Sequence, residues 1–276
     1  MKKKNTKGKN KSTNKNNKPI TKRSSRKDDF EEDSFQLEGR NSVLEALNHN
    51  KTIDKIFVKK GEVEGTLKVI VAKALERGII VQEVDKMRME QMKRTNNPQG
   101  IIALCPAHEY CEVEDILENA KKRGEDPFVI ILDEITDPHN LGAIIRTADA
   151  VGAHGVIIPK RRAVSLTAIV SKTSAGALEY VPVARVNNIS KEIEKLKKQG
   201  LWIACADMKG TECFKADLKG AIGIVIGNEG DGVSRLVKES CDYSVKIPMY
   251  GNIESLNASV AAGLLMYEVV RQRKFV

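Results

Sequence analysis

From Phe35 onward the apolar positions switch repeatedly between the two-residue period of a strand and the three-to-four-residue period of a helix. Asn41–Leu47 has a helical start, Ile53–Lys59 reads as a strand, and Leu67–Arg77 carries apolar residues at helical spacing up to Gly78, a helix-ending residue. Ile79–Val84 is the next strand, Met87, Met89 and Met92 fall in a third short helix as core filler, and Gly100–Leu104 is a last strand. This alternation predicts a small α/β domain over residues 35–105. Residues 106–124, with the charged and partly helical EVEDILENAKKR, read as a linker.

A second α/β domain is predicted over 125–276. Its strands are Phe128–Leu132, Gly155–Ile158, Val181–Val186, Leu201–Ala206, Ile222–Ile226 and Tyr243–Ile247. Helices fall between most of them: Leu141–Val151, Ser190–Gln199, Val233–Glu239 and Ala258–Arg271. Short apolar strands alternating with amphipathic helices imply a mostly parallel sheet covered on both faces. Ligands of such sheets sit beyond the carboxyl ends of the strands. The run Ala258–Gly263 has so little bulk that a close helix contact is expected there, with Ala261 inside it.

Charge sharpens this layout. The net charge is +9 and the pI about 9.2, yet residues 1–27 hold twelve Lys or Arg and no acid. The remainder is slightly acidic, so the excess sits on one arm and the folded part is not basic overall. Residues 1–34 are read as a disordered cationic arm, too poor in apolar residues to bury a core. It is suited either to grazing nucleic-acid phosphates or to solubility alone. No run approaches the roughly 20 apolar residues of a membrane span, and the arm lacks a secretory core, so a cytoplasmic protein is expected. The five cysteines have no CxxC spacing and an odd count, which suits reduced thiols; the four histidines show no ligand spacing, so no metal is expected.

The candidate chemistry lies in loops after strands. Ile222–Ile226 runs into Gly227-Asn228-Glu229-Gly230-Asp231-Gly232, where three glycines let backbone approach a ligand. The loop lacks both the GxGxxG spacing of a dinucleotide site and the lysine of a P-loop. Tyr243–Ile247 opens into a second loop containing Ser255-Leu256-Asn257. A third, after Phe128–Leu132, offers Asp137 or Asn140 as helix caps and then Arg146 within an otherwise apolar run. Such a guanidinium suits a phosphate, the alternative being a salt bridge to Glu134 or Asp137.

DPHNLGAIIRTADAVGAHGVII, IGNEGDGVSRL and IPMYGNIESLNASVAAG resemble, in order and spacing, the three motifs of SPOUT-class, TrmH-like RNA 2′-O-ribose methyltransferases, over residues 128–272. LEGRNSVLEAL and NPQGI resemble the small ribosomal-protein-like RNA-binding module that precedes the catalytic domain in the ribosomal RNA branch. The resemblance implies a carboxyl-terminal trefoil knot, S-adenosylmethionine as cofactor, and a homodimer that completes each site. By motif it places Gly227, Ile247 and Leu256 around the cofactor, and Asn140, Arg146, Glu229, Ser255 and Asn257 around the methyl donor and target ribose. It also implies methylation of a guanosine in 23S ribosomal RNA, with transfer RNA methylation, an antibiotic-resistance methylase and a non-catalytic RNA-binding or assembly factor as alternatives. Because guanidinium does not deprotonate in proteins, Arg146 is expected to grip a phosphate and steady the developing alkoxide, not to act as base.

Overall fold

The computed structural model describes residues 35–61, 63–253 and 255–275. The cationic arm expected over 1–34 lies outside them. The amino-terminal layer runs β1 (Phe35–Glu38), α1 (Arg40–Asn48), β2 (Lys55–Lys59), α2 (Thr66–Glu76), β3 (Ile80–Val84), α3 (Lys86–Met92), β4 (Ile101–Cys105). Its sheet has the order β1-β4-β2-β3, with β2 and β3 parallel and β4 antiparallel to both β1 and β2. Val43 and Leu47 of α1 and Leu67, Ile70 and Ala74 of α2 bury against Ile56, Val58, Ile101 and Ala103. Met89 and Met92 are buried as core filler, whereas Met87 faces solvent, because only the i and i+3 positions of so short a helix reach the sheet.

The second layer continues with α4 (Val113–Arg123), β5 (Phe128–Leu132), α5 (Pro138–Ala150), β6 (Gly155–Pro159), α6 (Ala168–Thr173), β7 (Val183–Val186), α7 (Ile189–Lys198), β8 (Trp202–Glu212), β9 (Ile222–Ile226), α8 (Arg235–Ser240), β10 (Tyr243–Lys246) and α9 (Ala258–Phe275). All its strand pairs are parallel, in the order β10-β8-β9-β5-β6-β7. Every residue of β5 and β9 is buried, which is why both read as unbroken apolar runs. Phe128, Ile130 and Leu132 turn to a core shared with α5 and α9, and Val129 and Ile131 to one shared with α4 and α7. This α/β fold is the one expected from the sequence. At the start of β5 the Phe128 amide donates to Nδ1 of buried His154, whose Nε2 faces Glu125 at 3.0 Å; burial lowers the imidazole's pKa and keeps it neutral.

Four local differences have physical causes. Residues 106–124, expected to be a linker, hold α4, whose Val113, Ile116 and Ala120 form a buried i, i+3, i+7 stripe hidden in sequence among charged neighbours. Gly155 leaves room for Ile116: a Cβ there would lie 2.6 Å from its side chain. Strand β8 continues past Ala206 to Glu212, and its pairing with β10 jumps from Ser244↔Cys205 to Val245↔Thr211. Helix α6 is too short for periodicity to show and is fixed by Thr167, whose hydroxyl accepts from the Val170 amide. In α9 it is Ala262, not Ala261, that is fully buried.

The two layers meet at an ion pair that is largely shielded from water. Arg185 of β7 hydrogen-bonds Asp54, just ahead of β2, and its guanidinium stacks 4.3 Å over the Tyr110 ring. The hydroxyls of Tyr110 and Ser165 also bond the Asp54 carboxylate, and Tyr110 accepts from the Leu166 amide.

Ile116→Ala should destabilise the second layer by about 2–5 kcal/mol, through lost burial and a cavity beneath β6. A denaturant midpoint equal to wild type would show that α4 packs only loosely.

Candidate active site

Strand order reverses direction at β5: β6 and β7 lie on one side of it, β9, β8 and β10 on the other. The loops leaving β5 and β9 therefore rise side by side, and they are tied at the base, where the Asp133 amide donates to the Ile226 carbonyl at 2.8 Å. The Asp133 side chain, itself buried, accepts from the Ser234 amide at 2.7 Å and so fixes the far end of the glycine loop.

That loop is folded onto itself through backbone. A Cβ on Gly227 would fall 2.0 Å from the Gly232 carbonyl carbon, so no other residue fits. Gly232 takes a φ of +67°, available to glycine at no steric cost. Asn228 staples the turn: its Oδ1 accepts from the amides of Gly230 at 2.9 Å and Asp231 at 2.7 Å, and its carbonyl accepts from Gly232 at 3.1 Å.

Asp137 caps α5, accepting from the His139 amide at 2.8 Å, and Pro138 begins the helix without a wasted donor. Asn140 is thus free of capping duty. It is buried, and its Nδ2 donates to Glu229 while its Oδ1 accepts from Asn257 Nδ2 at 3.0 Å. Asn257 in turn caps α9, its Oδ1 accepting from the Ser259 hydroxyl and amide at 2.6 and 3.0 Å and from the Val260 amide at 3.3 Å. Three segments 89 and 117 residues apart in sequence converge on one carboxamide.

The other residues singled out from the sequence are placed by their own elements. Ile247 lies one residue beyond β10, half-buried against the core, and Leu256 is half-buried just ahead of α9. Ser255 is exposed, two residues ahead of Asn257. Arg146 does not join it: six residues beyond Asn140, it sits roughly 120° around the helix axis, exposed and with no hydrogen-bond or ion-pair partner among the described residues. Neither acid considered as its salt-bridge partner is engaged with it, since Glu134 pairs with Arg162 and Asp137 is the cap. Asp133 and Asn228 were not anticipated; a carboxylate ending an apolar strand and an asparagine two before a glycine are the signals that mark them. All five cysteines are free thiols, and among the described residues no three His, Cys, Asp or Glu side chains group as metal ligands.

Comparison with known proteins places this arrangement. Residues 127–267 match the model of the SpoU rRNA Methylase family, and residues 36–111 match one described as RNA 2′-O ribose methyltransferase substrate binding. The Bacillus subtilis (strain 168) protein YacO, whose name assigns it to the TrmH family of tRNA/rRNA methyltransferases, is 48% identical over 236 residues, covering 85% of this chain and 94% of its own. A Staphylococcus aureus (strain MRSA252) relative named for the same family is 45% identical over 238 residues, 85% and 95% of the two chains. Among solved structures, an AdoMet-bound rRNA methyltransferase from Sinorhizobium meliloti aligns with a TM-score of 0.54 at 26% identity, over 86% of this chain and 87% of that one. The SpoU methyltransferase AviRb from Streptomyces viridochromogenes, in complex with AdoMet, gives 0.53 at 27%, over 87% and 90%. Fold and site thus define an RNA methyltransferase. The chain belongs to the SpoU/TrmH family of these enzymes.

Asn228→Ala removes the acceptor for two loop amides, so hydrogen exchange at Gly230 and Asp231 should quicken while the core amides of β5 and β9 keep their protection. Unchanged exchange at 229–232 would show that the loop holds its shape without the staple.

Proposed function

We propose that the protein transfers the methyl group of S-adenosylmethionine to a ribose 2′-OH, the target being a guanosine of 23S ribosomal RNA. The observation that carries this reading is the Asn140–Glu229–Asn257 cluster beside a glycine loop closed through backbone, at the carboxyl ends of β5 and β9. Gly227 leaves backbone, not side chains, to meet a ligand, while Ile247 and Leu256 offer half-buried apolar surface suited to a purine. These residues fit S-adenosylmethionine and would hold it. When bound, that cofactor supplies an electrophilic sulfonium methyl, which leaves the protein to orient a hydroxyl and take its proton.

Orientation alone is worth up to about 7–11 kcal/mol in favourable cases. Asn140 and Asn257 present a carboxamide surface locked by mutual hydrogen bonds, and Ser255 a free hydroxyl beside it. Glu229 accepts from Asn140, which aims its carboxylate toward the cluster, where it would receive the ribose proton directly or through water. Arg146, permanently charged and exposed, grips the neighbouring phosphate and steadies the alkoxide. Because one chain keeps Arg146 away from the cluster, a second copy is needed to complete the site. Val260, Leu264 and Tyr267, exposed at i, i+4 and i+7 of α9, give an apolar stripe suited to that homodimer. The trefoil knot belongs to the same reading, as do the division into an RNA-binding domain over 35–105 and a catalytic domain over 125–276. No helix among the described residues is long and apolar enough to cross a membrane, and we place the enzyme in the cytoplasm with its RNA.

Incubating the protein with isotopically labelled S-adenosylmethionine and, separately, ribosomal and transfer RNA should put label into 2′-O-methylguanosine from 23S RNA. Label confined to transfer RNA would overturn the substrate, and no label in either would overturn the activity. Glu229→Gln should lower kcat by about 100-fold or more while calorimetry shows unchanged S-adenosylmethionine affinity; unaltered turnover would remove Glu229 from the chemistry. Mixing Arg146→Ala with Asn140→Ala protein, each inactive alone, should restore part of the activity through mixed dimers that contain one intact site. No restoration at any ratio would place Arg146 and Asn140 in the same chain's site.

A further inference from the structure

Two of the five thiols meet. Cys205 lies fully buried on β8, Cys241 lies half-buried in the turn that joins α8 to β10, and their side chains are hydrogen-bonded to each other. The turn is pinned on both sides of Cys241. Its amide donates to the Lys238 carbonyl at 3.1 Å, and Lys197 bridges the Ser240 carbonyl and the Asp242 carboxylate at 3.1 and 2.8 Å. Asp242 is tied to Ile203 of β8 twice: its amide donates to the Ile203 carbonyl and its carboxylate accepts from the Ile203 amide, both at 2.8 Å. Strand pairing, with Ser244 opposite Cys205, completes the anchorage.

Donors converge on Cys205. Its sulfur lies 3.2 Å from the Ser244 hydroxyl, and the Cys241 thiol, which also reaches the Val237 carbonyl at 3.2 Å, can turn its hydrogen to it. The Cys241 thiol foremost, then the Ser244 hydroxyl and the Lys238 ammonium, outweigh burial and the Asp207 carboxylate and lower the Cys205 pKa to about 7. The same hydrogen bond pushes the Cys241 thiol up, helped by burial and Asp242 and opposed by Lys197, so the two sulfurs share one proton. In Cys105, Cys111 and Cys213 burial dominates instead and moves each thiol upward.

Cys241 and Ser244 also line a cleft of about 500 Å³. The charges around it are paired within the protein: Arg235 with Glu239, Lys238 with Asp207, and Asp242 with Lys197. Such walls do not select an ion, and among the described residues the sulfurs belong to no group of three metal-ligating side chains. A small neutral molecule meets no opposing field there.

We propose that Cys205 and Cys241 are a redox-active dithiol, which hydrogen peroxide entering through this cleft converts to a disulfide between β8 and the α8–β10 turn. With the proton on Cys205, the Cys241 thiolate attacks one peroxide oxygen. An S–O bond forms, the O–O bond breaks, and the departing hydroxide takes up a proton as water, leaving a sulfenic acid. Cys205 then loses its proton and attacks the Cys241 sulfur; the S–S bond forms, the S–O bond breaks, and hydroxide leaves with that proton as a second water. Two thiols are oxidised and one peroxide is reduced. The step uses none of the residues assigned to methyl transfer.

The test treats the reduced full chain with hydrogen peroxide, blocks free thiols with iodoacetamide, then reduces and labels the newly freed thiols with N-ethylmaleimide for peptide mass spectrometry. Label should appear on Cys205 and Cys241 together and not on Cys105, Cys111 or Cys213. Before reduction the intact mass should be lower by two hydrogens, and dithiothreitol should restore it. The rate should rise about tenfold from pH 6 to pH 8 and then level off, whereas a thiol of ordinary pKa gains about fivefold more by pH 9. Label spread over all five cysteines, a gain of oxygen in place of the lost hydrogens, or no oxidation would each overturn the proposal. Cys241→Ser, checked for its fold by circular dichroism, should leave Cys205 unlabelled; undiminished label on Cys205 would show that it pairs elsewhere.

Discussion

A single side-chain amide sets the geometry on which the methyl-transfer site depends. Asn140 has one donating and one accepting end, and each is committed to a different segment of the chain. The orientation is fixed from outside. Backbone amides of Ser259 and Val260 can only donate, so Asn257 must turn its oxygen to them and its nitrogen to Asn140. Asn140 must then offer oxygen to Asn257 and nitrogen to Glu229. A chain of hydrogen bonds with one polarity therefore runs from the start of α9 to a carboxylate that accepts. Reversing any amide in it would set donor against donor.

The scaffold explains why these segments meet. A parallel sheet brings all its carboxyl ends to one edge, and the reversal of strand order at β5 puts the β5 and β9 loops next to each other. Close packing then sets the starts of the helices. Gly142, in the first turns of α5, is so near α6 that a Cβ would lie 2.6 Å from the Thr173 side chain. On the other side α9 seats Ala262 and Leu265 in the same core as Ile144 and Ile145 of α5. Helices this tightly packed leave Asn140 and Asn257 little freedom to separate. The loops above them can stay exposed because their anchors are not.

Much of this was legible in the sequence wherever burial left a pattern. β5 and β9 are buried on both faces and read as apolar runs; α7 and α9 follow helical spacing; the glycine loop declares itself by composition. What escaped has a different character. Helix α4 was masked because its three buried residues sit among six charged ones. The excursion within β8 has no local signature, since it exists only relative to the register of β10. In the site, Asn140 looked like a cap because Asp137 and Asn140 offer the same chemistry, and only the fold assigns the cap to Asp137. Arg146 was grouped with Asn140 by the motif they share. Helical rotation separates them, and nothing in one chain brings them together.

The Asp54–Arg185 pair joins the two layers, with Tyr110 stacked over the guanidinium and closing it from water. Burial pushes the Asp54 carboxyl pKa up even with the guanidinium beside it, a sign of how costly the ion would be without its partner. Unfolding either layer alone would strip the other of the ion pair, the stacked ring and the hydroxyl hydrogen bonds that meet at Asp54, so part of each layer's stability is supplied by the other. The pair therefore does more than join two surfaces. It makes the loss of one core raise the cost of keeping the other, so two separately packed layers share a common melting cooperativity.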